Sequence, residues 1–262
     1  MIFSETQLKG YVNVINSLVF KNKNSTISEI HKLTKSEHIL LPSEEELKHE
    51  FDNPKSTRDK GLVGKFIEYA FFGIKPNPDS KPDLENGYDI KSCAFKQLKN
   101  GCKNAKERQT LTNCTDYENL IENSEFKNCK YYNKCRKLVL FIRSDDKIKL
   151  KTYEELLNQH LLLVVIVNLD CLPQEILSVI NNDYELIRNC IINKKITQAG
   201  QKYLHIHKHG SKNSETRALG YTPKLITQLA AITLSEILNV DYKDIINVNV
   251  NGNSLSIHDK YI

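Results

Sequence analysis

The sequence predicts a mixed α/β (α+β) fold in which a mixed central sheet is flanked by helices. Short β-rich runs are scattered between longer amphipathic runs, a pattern typical of a sheet assembled from several parts of the chain. The chain has 262 residues, of which 40% are hydrophobic and 26% charged. It is therefore long enough to bury a sizeable core without disulfides, and too apolar for a disordered protein.

Helices are predicted wherever apolar residues recur at helical spacing. The first covers Ser4 to Val19 and a shorter one covers Ser25 to Leu33. Another begins at Ser43, because Ser43 and Glu46 have the spacing of a capping box. The later helices are Thr57 to Phe72, Gln174 to Asn193 as one helix or two pieces, and a helix to Leu238 with Thr222 as N-cap and Pro223 as its first residue.

Strands are predicted in the intervening β-rich runs. They are Tyr88 to Ala94, Leu138 to Arg143, Leu161 to Leu169 and Tyr203 to His207. The run from Leu161 is apolar on both faces, so we expect it in the centre of the sheet. Near the end of the chain, Asn251 and Gly252 lie between two short alternating runs and predict a hairpin.

Charge and composition exclude some classes of protein. Lys and Arg number 37 against 32 Asp and Glu, and this net charge of +5 fits a polyanionic partner without requiring one. No apolar run reaches the roughly 18–20 residues of a membrane span, and the first residues lack the pattern of a secretory signal. We therefore expect no membrane partner and a cytoplasmic location. The seven scattered cysteines are expected to be free thiols.

Four of these cysteines fall in one segment, between residues 95 and 135. They are Cys102, Cys114, Cys129 and Cys135. Four thiolates could bind zinc, but none of them forms a CxxC pair, so the spacing argues against it.

The segment 82–91, Pro-Asp-Leu-Glu-Asn-Gly-Tyr-Asp-Ile-Lys, is the part of the sequence that best indicates chemistry. Asp89 and Lys91 are two apart on a predicted strand and share one face, and Asp83 can fold back beside Asp89 across the turn. Two close carboxylates repel each other unless a cation lies between them. Oxygen ligands suit Mg²⁺, which can polarise a phosphodiester and lower the pKa of a bound water. Lys91 could orient that water or offset developing charge.

Glu68, on the preceding predicted helix, could complete this metal site or hold the cluster in place. Gly61 and Gly64 lie on the same side of that helix, and each costs about 1 kcal/mol relative to alanine. A close backbone approach beside Glu68 would explain them. The alternative for residues 82–91 is a surface turn followed by an edge strand with a solvated, charged face, since such a short pattern is common.

Residues 59–69, Asp-Lys-Gly-Leu-Val-Gly-Lys-Phe-Ile-Glu-Tyr, followed by residues 82–91, closely resemble the MutH-type mismatch-repair nicking endonuclease. They also resemble the related type II restriction endonucleases of the PD-(D/E)xK nuclease superfamily. This resemblance implies a restriction-endonuclease-like fold, Mg²⁺ as cofactor and duplex DNA as partner. It assigns the catalytic residues Asp83, Asp89, Lys91 and Glu68, with Asp83, Asp89 and Glu68 as metal ligands.

The resemblance also implies a DNA-reading part at about residues 195–240, within a single nuclease domain over residues 1–262 that ends in the hairpin tail. The candidate DNA-binding residues are Lys60, Lys134, Arg136, His207, Lys208, His209, Lys212, Arg217 and Tyr221. Basic runs at 99–108 and 127–137 could contact phosphates, although most such runs are plain solvated surface.

Two departures from the family pattern concern the acids and the reading loop. Asp89 stands where the mismatch-repair enzyme has a glutamate, and the turn before it is one residue shorter. Residues 207–212 replace an arginine-proline-lysine sequence at positions that read bases in the family. The family's usual target is GATC, and this change makes the target less certain here.

Three functions stay open at this point. The first is a Mg²⁺-dependent type II restriction endonuclease that leaves 5′-phosphate ends, acting as a homodimer on DNA or by nicking twice. The second is a MutH-like nickase that cuts the unmethylated strand. The third is a DNA-binding module with an inactive site. The altered reading loop favours the first, and the intact acids and lysine count against the third.

Overall fold

The structure is a computed structural model, and it describes residues 3–37, 41–52, 61–75, 82–145, 152–195, 200–210, 216–248 and 254–262. The helices are α1 Glu5–Lys21, α2 Ile27–Glu37, α3 Glu44–Phe51, α4 Leu62–Phe72, α5 Tyr117–Glu122, α6 Tyr132–Cys135, α7 Tyr153–Leu157, α8 Gln174–Ile192, α9 Pro223–Leu238 and α10 Tyr242–Ile245. The strands are β1 Asp89–Gln97, β2 Lys103–Ala105, β3 Gln109–Cys114, β4 Lys137–Ser144, β5 Leu161–Asn168, β6 Leu204–Lys208, β7 Arg217–Tyr221, β8 Ile246–Val248 and β9 Leu255–Ile257.

Two compact units interleave along the chain. The first is formed by residues 1–97 and 138–166 together with Ile262, and the second by residues 98–137 and 167–261. Helices and strands alternate in both, so the predicted mixed α/β class is confirmed. The single nuclease domain with a DNA-reading part stays a prediction.

In the first unit β4 lies between β1 and β5. Strands β1 and β4 are parallel, in a register that runs from Asp89 opposite Leu138 to Phe95 opposite Ser144. The Ser144 amide donates to the carbonyl of His160 over 2.9 Å, which joins the end of β4 to the start of β5. Strand β5 therefore runs antiparallel to β4, and the sheet is mixed, as predicted.

Aromatic side chains of α4 cover one face of this sheet. Phe71 and Phe72 pack on Phe141 of β4, with ring centroids 5.1 and 6.0 Å apart respectively. The Tyr11 hydroxyl of α1 donates to the carbonyl of Phe71 over 2.6 Å. This packing fixes α4, the helix that carries Glu68, against the strand neighbouring β1.

Strand β5 differs from the prediction in its place. It was expected in the centre but is the outermost strand of this sheet among the described residues. Its outer edge is instead covered by the Asn16 side chain of α1, which donates to the carbonyl of Val164 and accepts from its amide, both over 2.8 Å. Thr26 also bridges to His160. Since helices and loops satisfy this edge, both faces of β5 can be apolar without a further strand.

Helix α4 begins at Leu62 with Gly61 as its N-cap residue, and it ends at Gly73 in the left-handed conformation. The earlier part of the predicted helix lies in residues 53–60, outside the described ranges. A Cβ added at Gly64 would lie 3.8 Å from Oε1 of Glu68, an ordinary contact. The expected close backbone approach at Gly64 is therefore wrong.

The second unit contains two antiparallel arrangements of strands. Strand β9 lies between β2 and β8, and β7 lies between β3 and β6. Strands β8 and β9 pair from Ile246 opposite Ile257 to Val248 opposite Leu255, which confirms the predicted C-terminal pair; its turn residues lie outside the described ranges. Helix α8 is one continuous helix. None of the helices described here is both long and apolar enough to cross a membrane.

Candidate functional site

A tight turn returns Asp83 to the start of β1. The amide of Leu84 donates to the carbonyl of Tyr88, and the amide of Gly87 donates to the carbonyl of Leu84, both over 2.9 Å. Gly87 has a φ of 85°, which favours glycine. Oδ2 of Asp83 then accepts from the amide of Ile90 over 2.7 Å. The carboxylate is thereby fixed beside the first residues of the strand.

Asp89 and Lys91 contact each other at the start of β1. Their side chains point to the same face because they are two residues apart, and Nζ of Lys91 lies 2.8 Å from Oδ2 of Asp89. Asp89 is 3% exposed, whereas the Lys91 side chain is 22% exposed. Lys91 also donates to the carbonyl of Ile90 over 3.2 Å. The ammonium group is thus held next to a buried carboxylate and still reaches the surface.

Glu68 of α4 belongs to the same electrostatic cluster. Burial raises the pKa of Glu68 to about 7, and the charge of Asp83 adds to the increase. Lys91 opposes this shift and Asp89 reinforces it. Three carboxylates and one ammonium therefore interact, and burial, with the two neighbouring carboxylates adding to its effect, raises the pKa of Glu68 into the neutral range.

The donor set of this cluster fits a hard divalent cation. Carboxylate oxygens are the ligands that Mg²⁺ prefers. Burial is the main cause of the raised pKa of Glu68, and the repulsion from Asp83 and Asp89 that adds to it is what a cation relieves. Across the described ranges, no three carboxylate, imidazole or thiol side chains already converge as a set of metal ligands. Neither the carboxylates of Glu68, Asp83 and Asp89 nor the four cysteines of residues 95–135 form such a set in the described residues.

The predicted DNA-reading loop connects β6 to β7 in the second unit. Lys208 lies directly opposite Arg217 where the two strands meet the loop, and the amide of His209 donates to the carbonyl of Thr216 over 2.9 Å. Lys208 and His209 are exposed, and Arg217 is partly exposed. Like charges directly opposite each other disfavour the pairing of two strands. An anion bound between Lys208 and Arg217 would therefore stabilise the pairing of β6 with β7 at this end. Lys212, like Lys60, lies outside the described residues.

Two of the predicted DNA contacts are buried instead. Tyr221 is 1% exposed, and its hydroxyl donates to the carbonyl of Cys135 over 2.7 Å. His207 is 7% exposed, and its Nε2 lies 3.1 Å from the hydroxyl of Thr110 on β3. Both side chains therefore pack inside the protein in this structure, and their role at the DNA stays a prediction.

Close packing around His207 explains a glycine on the middle strand. A Cβ added at Gly220 would lie 2.5 Å from the carbonyl oxygen of Gln109 and 2.9 Å from Cε1 of His207. The first distance is far inside any normal contact, and backbone cannot move aside cheaply. Gly220 is therefore needed for β3 and the His207 ring to lie against β7.

The basic run at 127–137 is largely paired within the protein. Lys127 pairs with Glu125 over 3.0 Å, Lys130 with Asp116 over 2.5 Å, and Arg136 with Asp170 over 3.7 Å. Lys134 lies on α6 and is partly exposed. Exposed pairs of this kind are worth little, so these cations can exchange their carboxylates for phosphates at small cost.

Asp183 of α8 positions the start of β6 and was missed by the sequence reasoning. Its buried carboxylate accepts from the amides of Lys202, Tyr203 and Leu204, over 2.8, 2.5 and 3.0 Å respectively. Burial raises the pKa of Asp183, although the three donors oppose the shift. A signal was available, because Asp183 interrupts the apolar stripe of α8 at a core position. A charged residue there indicates a buried polar contact.

We expect the second unit to lose stability below pH 6.5. Burial lowers the pKa of His205 to about 4 and that of His207 to about 3, and Arg108 contributes to both shifts. An unfolded histidine binds a proton near pH 6.5, so stability is complete above that pH and falls as the pH drops towards 4. For His207 the loss reaches up to about 2 kcal/mol at pH 5.

Urea unfolding followed by circular dichroism at pH 7.5 and pH 5.0 tests this loss. His207→Gln should reduce the difference between the two midpoints without abolishing it, because His205 keeps a lowered pKa. His49→Gln, a change at an exposed histidine of α3, serves as the matched control and should leave the difference as in the wild type. The same acid sensitivity in His207→Gln and wild type would contradict the prediction.

All seven cysteines are free thiols, as expected. The four cysteines of residues 95–135 are buried, whereas Cys171 is exposed. Cys102 lies 3.7 Å from Nδ1 of His258 and accepts from Nδ2 of Asn247, also over 3.7 Å. Burial raises the pKa of the Cys114 thiol to about 12 and also raises that of Cys129. These thiols therefore pack as small apolar groups.

Comparison with known proteins agrees with the site in the first unit. Residues 72–168 match the model of the family described as DNA mismatch repair enzyme MutH, a little over a third of the chain. The match includes Asp83, Asp89 and Lys91 with strands β1, β4 and β5, but not Glu68 or the β6–β7 loop.

A curated relative, the type II restriction enzyme Sau3AI of Staphylococcus aureus, is 40% identical over 78 residues. The alignment covers 29% of this chain and 15% of the relative, so the shared segment is a small part of that protein. Residues 72–168 are therefore similar to the MutH family, and the predicted resemblance of the chain to the MutH-type and type II restriction endonucleases is confirmed.

Proposed function

We propose that this protein is a site-specific DNA endonuclease of the type II restriction kind, which hydrolyses phosphodiester bonds of duplex DNA with Mg²⁺ and leaves 5′-phosphate ends. One observation carries the proposal. Asp83, Asp89 and Lys91 are brought together at the start of β1, inside the segment that matches the MutH family. A surface turn with a solvated strand face would not bury Asp89.

The residues of the cluster have different proposed roles. Asp83, Asp89 and Glu68 would hold the cation, which when bound polarises the phosphodiester and lowers the pKa of a water. Lys91, already fixed beside Asp89, orients the attacking water and offsets the charge that develops on the phosphate. The hydrogen bond from Ile90 keeps Asp83 at the strand, so its carboxylate does not turn into solvent.

The DNA contacts in the proposal come from the second unit. Lys208 and Arg217 face each other at the reading loop, and such side chains can donate to O6 and N7 of guanine. Lys134 and Arg136 are suited to phosphate contacts, as are His209 and the loop residue Lys212. His207 and Tyr221 support the loop from below. The recognised sequence in this proposal is a short site, with GATC as the first candidate.

Digestion of unmethylated phage DNA, followed by sequencing of the ends, tests the function. With Mg²⁺ we expect every end to carry the same short sequence and a 5′-phosphate, and no cleavage with EDTA. Ends of random sequence would contradict site specificity. An intact substrate over a range of enzyme and Mg²⁺ concentrations would contradict the nuclease function.

A second candidate is a nickase that acts on the unmethylated strand, because the matching family is described as a mismatch repair enzyme. The two candidates differ in their action on a plasmid when no repair protein is present. A restriction enzyme linearises an unmethylated plasmid, whereas a recruited nickase leaves it supercoiled or nicked. The residues that the structure describes contain one candidate catalytic cluster per chain, so linearisation by a homodimer should depend more steeply on enzyme concentration than nicking does.

A further inference from the structure

Tyr88 lies directly before Asp89 and joins the start of β1 to helix α1. Its ring is completely buried, in the same hydrophobic core as residues of α1 and α4. Its hydroxyl donates to Oε1 of Glu5, in the first turn of α1, over 3.1 Å. A buried tyrosine hydroxyl needs a hydrogen-bond partner, and a carboxylate acceptor gives a stronger bond than a neutral one. The bond to Glu5 therefore fixes where this side chain lies.

The backbone of Tyr88 closes the turn that carries both acids. Its carbonyl accepts from the amide of Leu84, the residue after Asp83, over 2.9 Å. Asp89 follows Tyr88 directly, and Asp83 accepts from the amide of Ile90 over 2.7 Å. A shift of Tyr88 would therefore be transmitted to both carboxylates. Its hydroxyl fastens this turn to a helix that lies more than 60 residues earlier in the chain.

Helix α1 also holds the helix that carries the third acid. The Tyr11 hydroxyl donates to the carbonyl of Phe71 in α4, and Glu68 lies on the same helix, one turn earlier. A capping box at Ser4 defines the first turn of α1, so the position of Glu5 is itself well determined. Helix α1 therefore contacts both elements that bring carboxylates to the cluster.

We propose that Tyr88 and Glu5 are positioning residues for the catalytic cluster. Their hydrogen bond sets the separation between the two acids of the turn and Glu68, and with it the affinity of the three carboxylates for a divalent cation. This inference rests on the proposed endonuclease function, in which these carboxylates hold Mg²⁺. A phenylalanine would fill the same space in the core, so the hydroxyl supplies orientation and not volume. Displacing a catalytic group by about 1 Å can cost about 100-fold in rate.

Tyr88→Phe removes only the hydroxyl, and we expect it to impair the site in a folded protein. The kcat for plasmid cleavage should fall about 10-fold, while KM for DNA stays unchanged because the proposed DNA contacts lie in the second unit. The affinity of the DNA-free protein for Mg²⁺, measured by isothermal titration calorimetry, should also fall about 10-fold. A role in folding alone would lower the melting temperature and leave kcat and Mg²⁺ affinity unchanged.

Tyr153→Phe is the matched control. Tyr153 is also buried in the first unit, and its hydroxyl donates to the carbonyl of Glu44 over the same distance of 3.1 Å. The variant loses a similar hydrogen bond, but between α7 and α3, which carry none of the three acids. It should therefore keep the kcat and the Mg²⁺ affinity of the wild type.

Glu5 offers a second pair of variants at a partly exposed residue, where a substitution threatens folding less. Glu5→Ala should lower kcat and Mg²⁺ affinity as Tyr88→Phe does, whereas Glu5→Gln keeps an acceptor oxygen and should preserve most of both. Because the two residues act through one hydrogen bond, the double variant with Glu5→Ala and Tyr88→Phe should lose no more than either single variant.

The inference is overturned if Tyr88→Phe and Glu5→Ala keep the wild-type kcat and Mg²⁺ affinity. Equal losses in Tyr153→Phe would overturn it too, because they would show a general effect of lost stability. A wild type that cleaves no DNA would refute the proposed function instead, and the Mg²⁺ affinities of the DNA-free proteins would still decide whether Tyr88 positions the carboxylates.

Discussion

Asp83→Ala is expected to abolish DNA cleavage while DNA binding is retained. Asp83 is fixed at the start of β1 by the amide of Ile90, and it acts on Glu68 strongly enough to raise that pKa. Removing it takes away a proposed ligand of the cation, so the phosphate is no longer polarised, and cleavage should fall by about 10³-fold or more. The proposed phosphate and base contacts lie elsewhere, so binding should change little.

Glu85 offers a matched control for Asp83, because it is a carboxylate in the same turn but exposed. Glu85→Ala should cleave like the wild type. Cleavage is measured on a plasmid with Mg²⁺, and binding by gel shift with the same target in EDTA. Normal cleavage by Asp83→Ala would remove the proposed site.

Lys91→Ala should lower the cleavage rate by about 10²- to 10⁴-fold with little effect on DNA affinity. The Lys91 ammonium group is 2.8 Å from Asp89 and partly exposed, which places it where a water and a phosphate would meet the acids. Because its proposed action is on the transition state, the loss should appear in kcat and not in KM.

Lys96, near the exposed end of the same strand, is the control for Lys91. Lys96→Ala removes the same charge from β1 and should leave kcat unchanged. Single-turnover cleavage with saturating enzyme measures the chemical step separately from DNA binding. If Lys91→Ala cleaved DNA at the wild-type rate, Lys91 would form an ion pair with Asp89 but would take no part in the reaction.

The capping residues predicted where helices begin, because their hydrogen bonds join residues within one helical turn. Ser43 and Glu46 form the predicted capping box, with hydrogen bonds of 3.2 and 2.6 Å. Thr222 caps α9 as predicted, and Pro223 is its first residue. These contacts join residues only three apart, so the sequence holds all the information that they need.

The place of a strand and the burial of a loop residue depend on distant parts of the chain. The apolar run of β5 looked central, but its edge is satisfied by Asn16, almost 150 residues away. Tyr221 and His207 were expected at the DNA, yet Cys135 and Thr110 approach them from other elements. No pattern within a short window reports such contacts.

The Asn16 amide on Val164 has a consequence for assembly. A strand from a second copy that extended this sheet across the middle of β5 would need the backbone groups of Val164, which Asn16 already occupies. Edge-to-edge growth of the sheet is thus blocked in the middle of that strand, and the same bond guards against aggregation. If two copies meet on a palindromic DNA site, the middle of β5 is therefore not the place where their strands can pair.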